Sequence, residues 1–91
     1  TDDLRQKIQE IILATPKVKG FNDLRTYQSG PTRFVQFDLE LEDTISLKEA
    51  HNITEAVTTN LKNFDPDLDV MIQQEPVSLK DDPTHHNWGQ E

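Results

Sequence analysis

Three of the residues whose side chains commonly bind divalent cations each stand in a segment with a clear pattern. Asp38 lies inside a run that alternates between apolar and polar residues, His51 lies in a segment of helical periodicity, and Glu75 ends a third apolar run before a proline. Carboxylate oxygens and imidazole nitrogens are ordinary ligands for divalent metals. The net charge of −8, from 17 acidic and 9 basic residues, raises the local concentration of cations. The first hypothesis is a small module for divalent cations.

Other kinds of chemistry have little support in the sequence. The absence of cysteine excludes disulfides and thiolate metal sites. The chain contains only three glycines and has neither a G-x-S-x-G motif nor a phosphate-binding loop, and His51 has no evident acid or nucleophile as a partner. We therefore do not expect an enzyme, although a small-molecule-binding or stand-alone metal-binding domain stays an alternative.

The charge and hydropathy of the chain also restrict its partners. An acidic domain whose basic residues are dispersed repels phosphate backbones, so we do not expect a nucleic acid partner. No apolar run approaches the roughly 20 residues of a membrane-spanning helix, and no signal peptide is visible. The fragment as given is expected to be soluble.

Two segments have the periodicity of amphipathic helices. The first covers residues 1–15 and ends at Pro16, because a residue before proline is disfavoured in helical conformation. The second begins at Ser46 and Glu49, which match the S-x-x-E capping box, and is ended by residues 65–67. Its expected buried stripe consists of Leu47, Ala50, Ile53, Val57, Leu61 and Phe64.

Three further segments, residues 17–27, 32–42 and 68–75, are predicted to be strands, with a turn at residues 28–31 between the first two. The alternation in the second and third strands directs Asp38, Gln73 and Glu75 to one face and the apolar residues to the other. The element order is therefore α-β-β-α-β, and the helix between the last two strands allows them to be parallel.

This order predicts an open-faced two-layer α+β sandwich of the ferredoxin-like or metallochaperone-like kind. Both helices are expected to cover one face of the sheet, because three strands alone are unstable in water. The other face would be exposed and would be a natural surface for a homodimer. Residues 1–77 are assigned to this domain and residues 78–91 to a polar C-terminal tail.

Three motifs resemble the cytoplasmic C-terminal domain of the cation diffusion facilitator, or cation efflux, transporters. They are GFNDLRTYQSGPTRFVQFDLELED at residues 20–43, SLKEAHNITEAV at residues 46–57 and DVMIQQEPV at residues 69–77. The resemblance covers residues 2–77. It implies a regulatory homodimerisation domain on the cytoplasmic side of the inner membrane, in which cytosolic metal bound between protomers favours export by proton antiport. It also implies a transmembrane domain that is missing from this chain.

The resemblance further implies five positions for metal ligands. Zinc-regulated members of the family place histidines at the positions of Asn22, Asp38, His51 and Gln73, and a carboxylate at that of Glu75. Only one of the four histidines is kept here. The oxygen-rich remainder suits manganese, ferrous iron or magnesium better than zinc. A divalent cation (zinc, iron or manganese) is the expected ligand, and a dimerisation module that has lost metal regulation is the alternative.

Each candidate residue also has a structural interpretation. Asp38 would be one polar residue of a solvated strand face, Glu75 a residue that ends a strand before proline, and His51 a helix-edge residue bonded to a neighbour. Asn22 and Gln73 would be structural or dimer-interface groups. In the tail, His85 and His86 lie close to two aspartates and could hold an ion, or could be solvated.

Overall fold

The chain folds as α1 (Asp2–Ala14), β1 (Gly20–Ser29), β2 (Thr32–Leu41), α2 (Leu47–Phe64) and β3 (Leu68–Pro76), followed by a 3-10 turn at Val77–Leu79. This is a computed structural model that describes residues 2–79. The predicted α-β-β-α-β order is confirmed. The first strand starts three residues later than expected, because Pro16 and Lys17, whose φ is 72°, form a turn after α1.

Within residues 2–79 the strands form one sheet in the order β1-β2-β3. β1 and β2 are antiparallel and are joined by a two-residue turn, in which Gly30 has a φ of 60° and Pro31 follows. A positive φ at the first turn position matches the twist of a hairpin and favours glycine. β2 and β3 are parallel, as the intervening helix allowed.

The hydrophobic core lies between the helices and one face of the sheet. α1 contributes Ile8 and Ile12 and β2 contributes Phe37 and Leu39, all of them fully buried. The predicted stripe of α2 is correct at its four central positions. It is wrong at Leu47 and Phe64, which are 84% and 40% exposed, because they are the first and last residues of the helix.

A β-bulge interrupts β1 between Asn22 and Arg25. Asp23 adopts a φ of 55°, the left-handed region that Asp tolerates better than most residues. The extra residue lets Phe21 and Leu24 both pack toward the core, although they are three positions apart. Asn22 is thereby directed to the opposite side of the sheet, next to Asp38.

Candidate metal site on the open face of the sheet

The side of the sheet opposite the helices, here called the open face, carries most of the predicted ligands. Asp38 lies in register with Asn22 on β1 and with Gln73 on β3, and Glu40 lies in register with Glu75. Since side chains in register share a face, the topology brings these five residues together. The clustering expected from strand alternation for Asp38, Gln73 and Glu75 therefore agrees with the register.

The carboxylates on this face are buried, whereas the alternation suggested solvated positions. Asp38 is 0%, Glu40 5% and Glu75 2% exposed. Asp38 and Glu40 belong to the central strand, which has a neighbour on each side, and Asn22 reaches Glu40 and Glu75 from β1. The expectation of an exposed acidic surface is thus wrong at these three positions.

The side-chain amide of Asn22 bridges two of these carboxylates. Asn22 Nδ2 donates to Glu40 Oε2 at 2.9 Å and to Glu75 Oε1 at 2.9 Å. An NH2 group has two hydrogens to donate, and these two hydrogen bonds use both of them. The other end of this side chain, Oδ1, is buried and has no hydrogen-bond partner within the described part of the chain.

Glu40 is a member of the cluster that the sequence reasoning missed. Its place two residues after Asp38 in a strictly alternating strand was the available signal. A second signal is Gly20, which is opposite Glu40 in the register. A Cβ atom at Gly20 would lie 2.6 Å from Glu40 Oε1, so a larger residue there would displace the carboxylate.

His51 does not join the carboxylates. It lies on α2, in the layer that covers the other face of the sheet, and its side chain is exposed. Among residues 2–79, no group of three or more His, Cys, Asp or Glu side chains is placed to hold a metal ion. His85 and His86 lie outside the described residues. Within one protomer, the open face therefore brings together carboxylate and amide side chains without His51.

The open face also has an apolar patch, formed by Tyr27, Phe34 and Met71. The rings of Tyr27 and Phe34 are stacked with their centroids 5.0 Å apart. Tyr27 is 52% and Met71 57% exposed, so much of this apolar surface is in contact with solvent. The face therefore combines a buried acidic cluster with an exposed apolar patch.

Comparison with known proteins decides the family. Residues 1–77 match the family model described as the cytoplasmic domain of cation efflux proteins. The chain belongs to this family. Neither helix of this cation efflux domain, within the described residues, is long and apolar enough to cross a bilayer.

Two curated relatives are cation-efflux pumps named FieF. The one from Serratia proteamaculans is 45% identical over 87 residues, which are 96% of this chain and 29% of the relative. The one from Cronobacter sakazakii is 50% identical over 78 residues, which are 86% of this chain and 26% of the relative. The chain thus spans less than a third of the length of these pumps.

Solved structures share the fold. The metal-bound C-terminal domain of the CzcD transporter from Thermotoga maritima is 26% identical, with a TM-score of 0.76 over 82% of this chain and 88% of that one. The copper form of a variant MamM C-terminal domain is 20% identical, also with a TM-score of 0.76, over 82% of this chain and 95% of that one. The second comparison concerns the fold alone.

Proposed function

We propose that this cation efflux domain joins two copies of its transporter and responds to a cytosolic divalent cation bound on the open face. The observation that carries the proposal is the buried acidic cluster of Asp38, Glu40 and Glu75 on the side of the sheet without helices. Burying a charged carboxylate is costly unless an opposite charge or a hydrogen bond compensates. A divalent cation would add a favourable interaction with several carboxylates at once, beyond the partners that they already have within the protomer.

The whole protein is proposed to export a divalent metal across the inner membrane. The matching relatives are named cation-efflux pumps, and this chain corresponds to their cytoplasmic part. Transport itself belongs to a membrane domain, and proton antiport is the proposed coupling. The domain described here would set how strongly the two halves of a dimeric pump associate.

The open face is the proposed dimer surface. Tyr27 and Met71 remain more than half exposed in one protomer, and both are apolar enough to favour burial. A second copy of the same face would cover them in a two-fold symmetric contact. Two acidic clusters would then approach each other with the net charge of each chain at −8, so cations between them would lower the repulsion.

The donor atoms of the cluster fit hard cations better than zinc. The carboxylates of Asp38, Glu40 and Glu75 supply oxygen, and His51 contributes nothing to the cluster within one protomer. Manganese, ferrous iron and magnesium accept oxygen ligands with water or a partner's side chains completing the shell, whereas structural zinc favours nitrogen and sulfur.

Calorimetric titration of the chain with Mn²⁺ and Zn²⁺ tests this proposal. We expect Mn²⁺ binding that is lost in Asp38→Asn and in Glu75→Gln, which keep the side-chain shapes and remove the charges. Glu42→Gln is the matched control, because Glu42 follows β2 directly but is exposed, and its loss should leave Mn²⁺ binding unchanged. Unchanged binding in Glu75→Gln, or binding lost only in His85→Ala/His86→Ala, would contradict the site.

A second candidate function is a structural dimerisation module that closes without metal. The bridging amide of Asn22 favours it, since this amide already supplies hydrogen bonds to Glu40 and Glu75. The two functions differ in one measurable property: this module would have the same dimer dissociation constant in Mn²⁺ and in chelator.

A further inference from the structure

The Asn22 amide occupies the place between two carboxylates that a cation on the open face would need. Its two N–H groups point at one oxygen of Glu40 and one of Glu75, each 2.9 Å away. Glu40 and Glu75 face each other across two parallel strands, so their charges repel. The amide reduces that repulsion by donating to both.

The same amide cannot serve a cation in its present orientation. An amide N–H carries a partial positive charge and has no lone pair for a metal, whereas the amide oxygen is an ordinary ligand for hard cations. Here the nitrogen faces the carboxylates and the oxygen is buried without a hydrogen-bond partner in residues 2–79. Each donated hydrogen bond must break before the oxygen that it holds, Glu40 Oε2 or Glu75 Oε1, is free of Asn22.

We propose that Asn22 is a built-in competitor of the cation: its amide holds Glu40 and Glu75 in the metal-free protomer and sets the cation concentration at which the domain responds. This inference rests on the proposed function, because it assigns a regulatory role at the same cluster. It predicts that the site binds a cation more weakly than its number of carboxylates suggests. It also makes Glu40 a required member of the site.

The test compares Mn²⁺ dissociation constants of the 91-residue chain with those of Asn22→Ala and Asn60→Ala, measured by calorimetry. We expect Asn22→Ala to bind Mn²⁺ about tenfold more tightly or better, because it no longer surrenders two hydrogen bonds to charged groups. Asn60→Ala is the control, since Asn60 Nδ2 donates to Thr15 Oγ1 at 3.1 Å on the helical side of the molecule. Its Mn²⁺ affinity should equal that of the unaltered chain.

Thermal unfolding in chelator and in Mn²⁺ provides a second readout. Asn22→Ala should have a lower midpoint than the unaltered chain in chelator, because two buried carboxylates lose the hydrogen bonds from Asn22, and should gain more from Mn²⁺. If Asn22→Ala does not fold in chelator, Asn22→Ser replaces it. A serine hydroxyl donates one hydrogen bond at a time, so Asn22→Ser should also bind Mn²⁺ more tightly than asparagine does.

The outcomes separate this inference from the proposed function. Tighter binding in Asn22→Ala supports the competitor, including the case in which only this variant binds. Equal binding in the two chains refutes the competitor and leaves the cation site standing. Weaker binding also refutes it, and makes Asn22 a ligand through Oδ1. If neither chain binds Mn²⁺, both the competitor and the cation response are wrong.

Discussion

At the scale of single residues, the local surroundings of a carboxylate decide which groups donate hydrogen bonds to it. Glu40 and Glu75 are buried and bridged by one amide, whereas Asp43, just after β2, is held by the turn that follows β3. The Ser78 side chain and the backbone N–H groups of Ser78 and Val77 donate to Asp43 and lower its pKa below the ordinary value of 3.8. The charged form of Asp43 is thus favoured in the folded protein.

This lowered pKa has a defined consequence for stability. The contribution of Asp43 is fully present above the unfolded pKa and is lost as the pH falls through the lower folded pKa. Ser78→Ala should raise the Asp43 pKa toward 3.8 without reaching it, because the backbone donors remain. NMR titration of the Asp43 carboxyl carbon measures this, with Ser29→Ala, at the distant hairpin end, as the control. An Asp43 pKa that does not move in Ser78→Ala would show that the side chain of Ser78 has no part in the shift.

At the scale of elements, α2 shows how position within a helix decides whether an apolar residue is buried. Leu61 is 0% exposed and Leu47 84%, although both belong to the same predicted stripe. The cap is also only half of the expected box: Ser46 Oγ accepts from Glu49 N at 3.0 Å, while the Glu49 carboxylate pairs with Lys17 Nζ. The central turns of α2 therefore pack in the core, and an ion pair joins its first turn to the loop after α1.

A pair of leucine substitutions measures this difference. Leu61→Ala should lower the free energy of unfolding by about 2–5 kcal/mol, because it leaves a cavity in the core. Leu47→Ala removes the same atoms from an exposed position and should change it by less than about 0.5 kcal/mol. Urea denaturation gives both values. Similar losses for the two variants would mean that the start of α2 is packed more tightly than the structure shows.

The elements and their order were predictable because periodicity, proline and capping residues are local signals. The strand alternation of β2 also identified which residues share the face of Asp38. The bulge was not predicted, although its signal was present. Asn22 is polar and Leu24 is apolar, yet in a regular strand two residues at this spacing would share a face. Because the bulge was not predicted, the contacts of Asn22 with Glu40 and Glu75 were not predicted either. They join residues that are 18 and 53 positions apart in the chain.

The burial of side chains on the open face could not be predicted from the sequence for a related reason. Alternation assigns a side chain to a face but does not say which neighbours cover it. The alternation placed Asp38 and Glu75 on a face that was expected to be exposed, and both are buried. The metal ligands named from the family resemblance remain predictions, and His51 stands apart from them in one protomer.

At the scale of the whole molecule, the proposed function requires that two open faces meet. Met71 and Leu13 make a matched pair for this claim, because each is 57% exposed, Met71 on the open face and Leu13 on α1. A lysine at Met71 would place a charge in the proposed contact, whereas one at Leu13 would remain in solvent. We expect Met71→Lys to be monomeric under conditions in which Leu13→Lys and the unaltered chain form dimers.

The most direct test of the central claim is sedimentation equilibrium of the chain in Mn²⁺ and in chelator. We expect a homodimer whose dissociation constant is at least about tenfold lower in Mn²⁺, which corresponds to roughly 1.4 kcal/mol of coupling between cation and partner. Glu75→Gln should abolish that difference, and Met71→Lys should abolish the dimer. A chain that remains monomeric, or a dimer with the same dissociation constant in Mn²⁺ and in chelator, would contradict it.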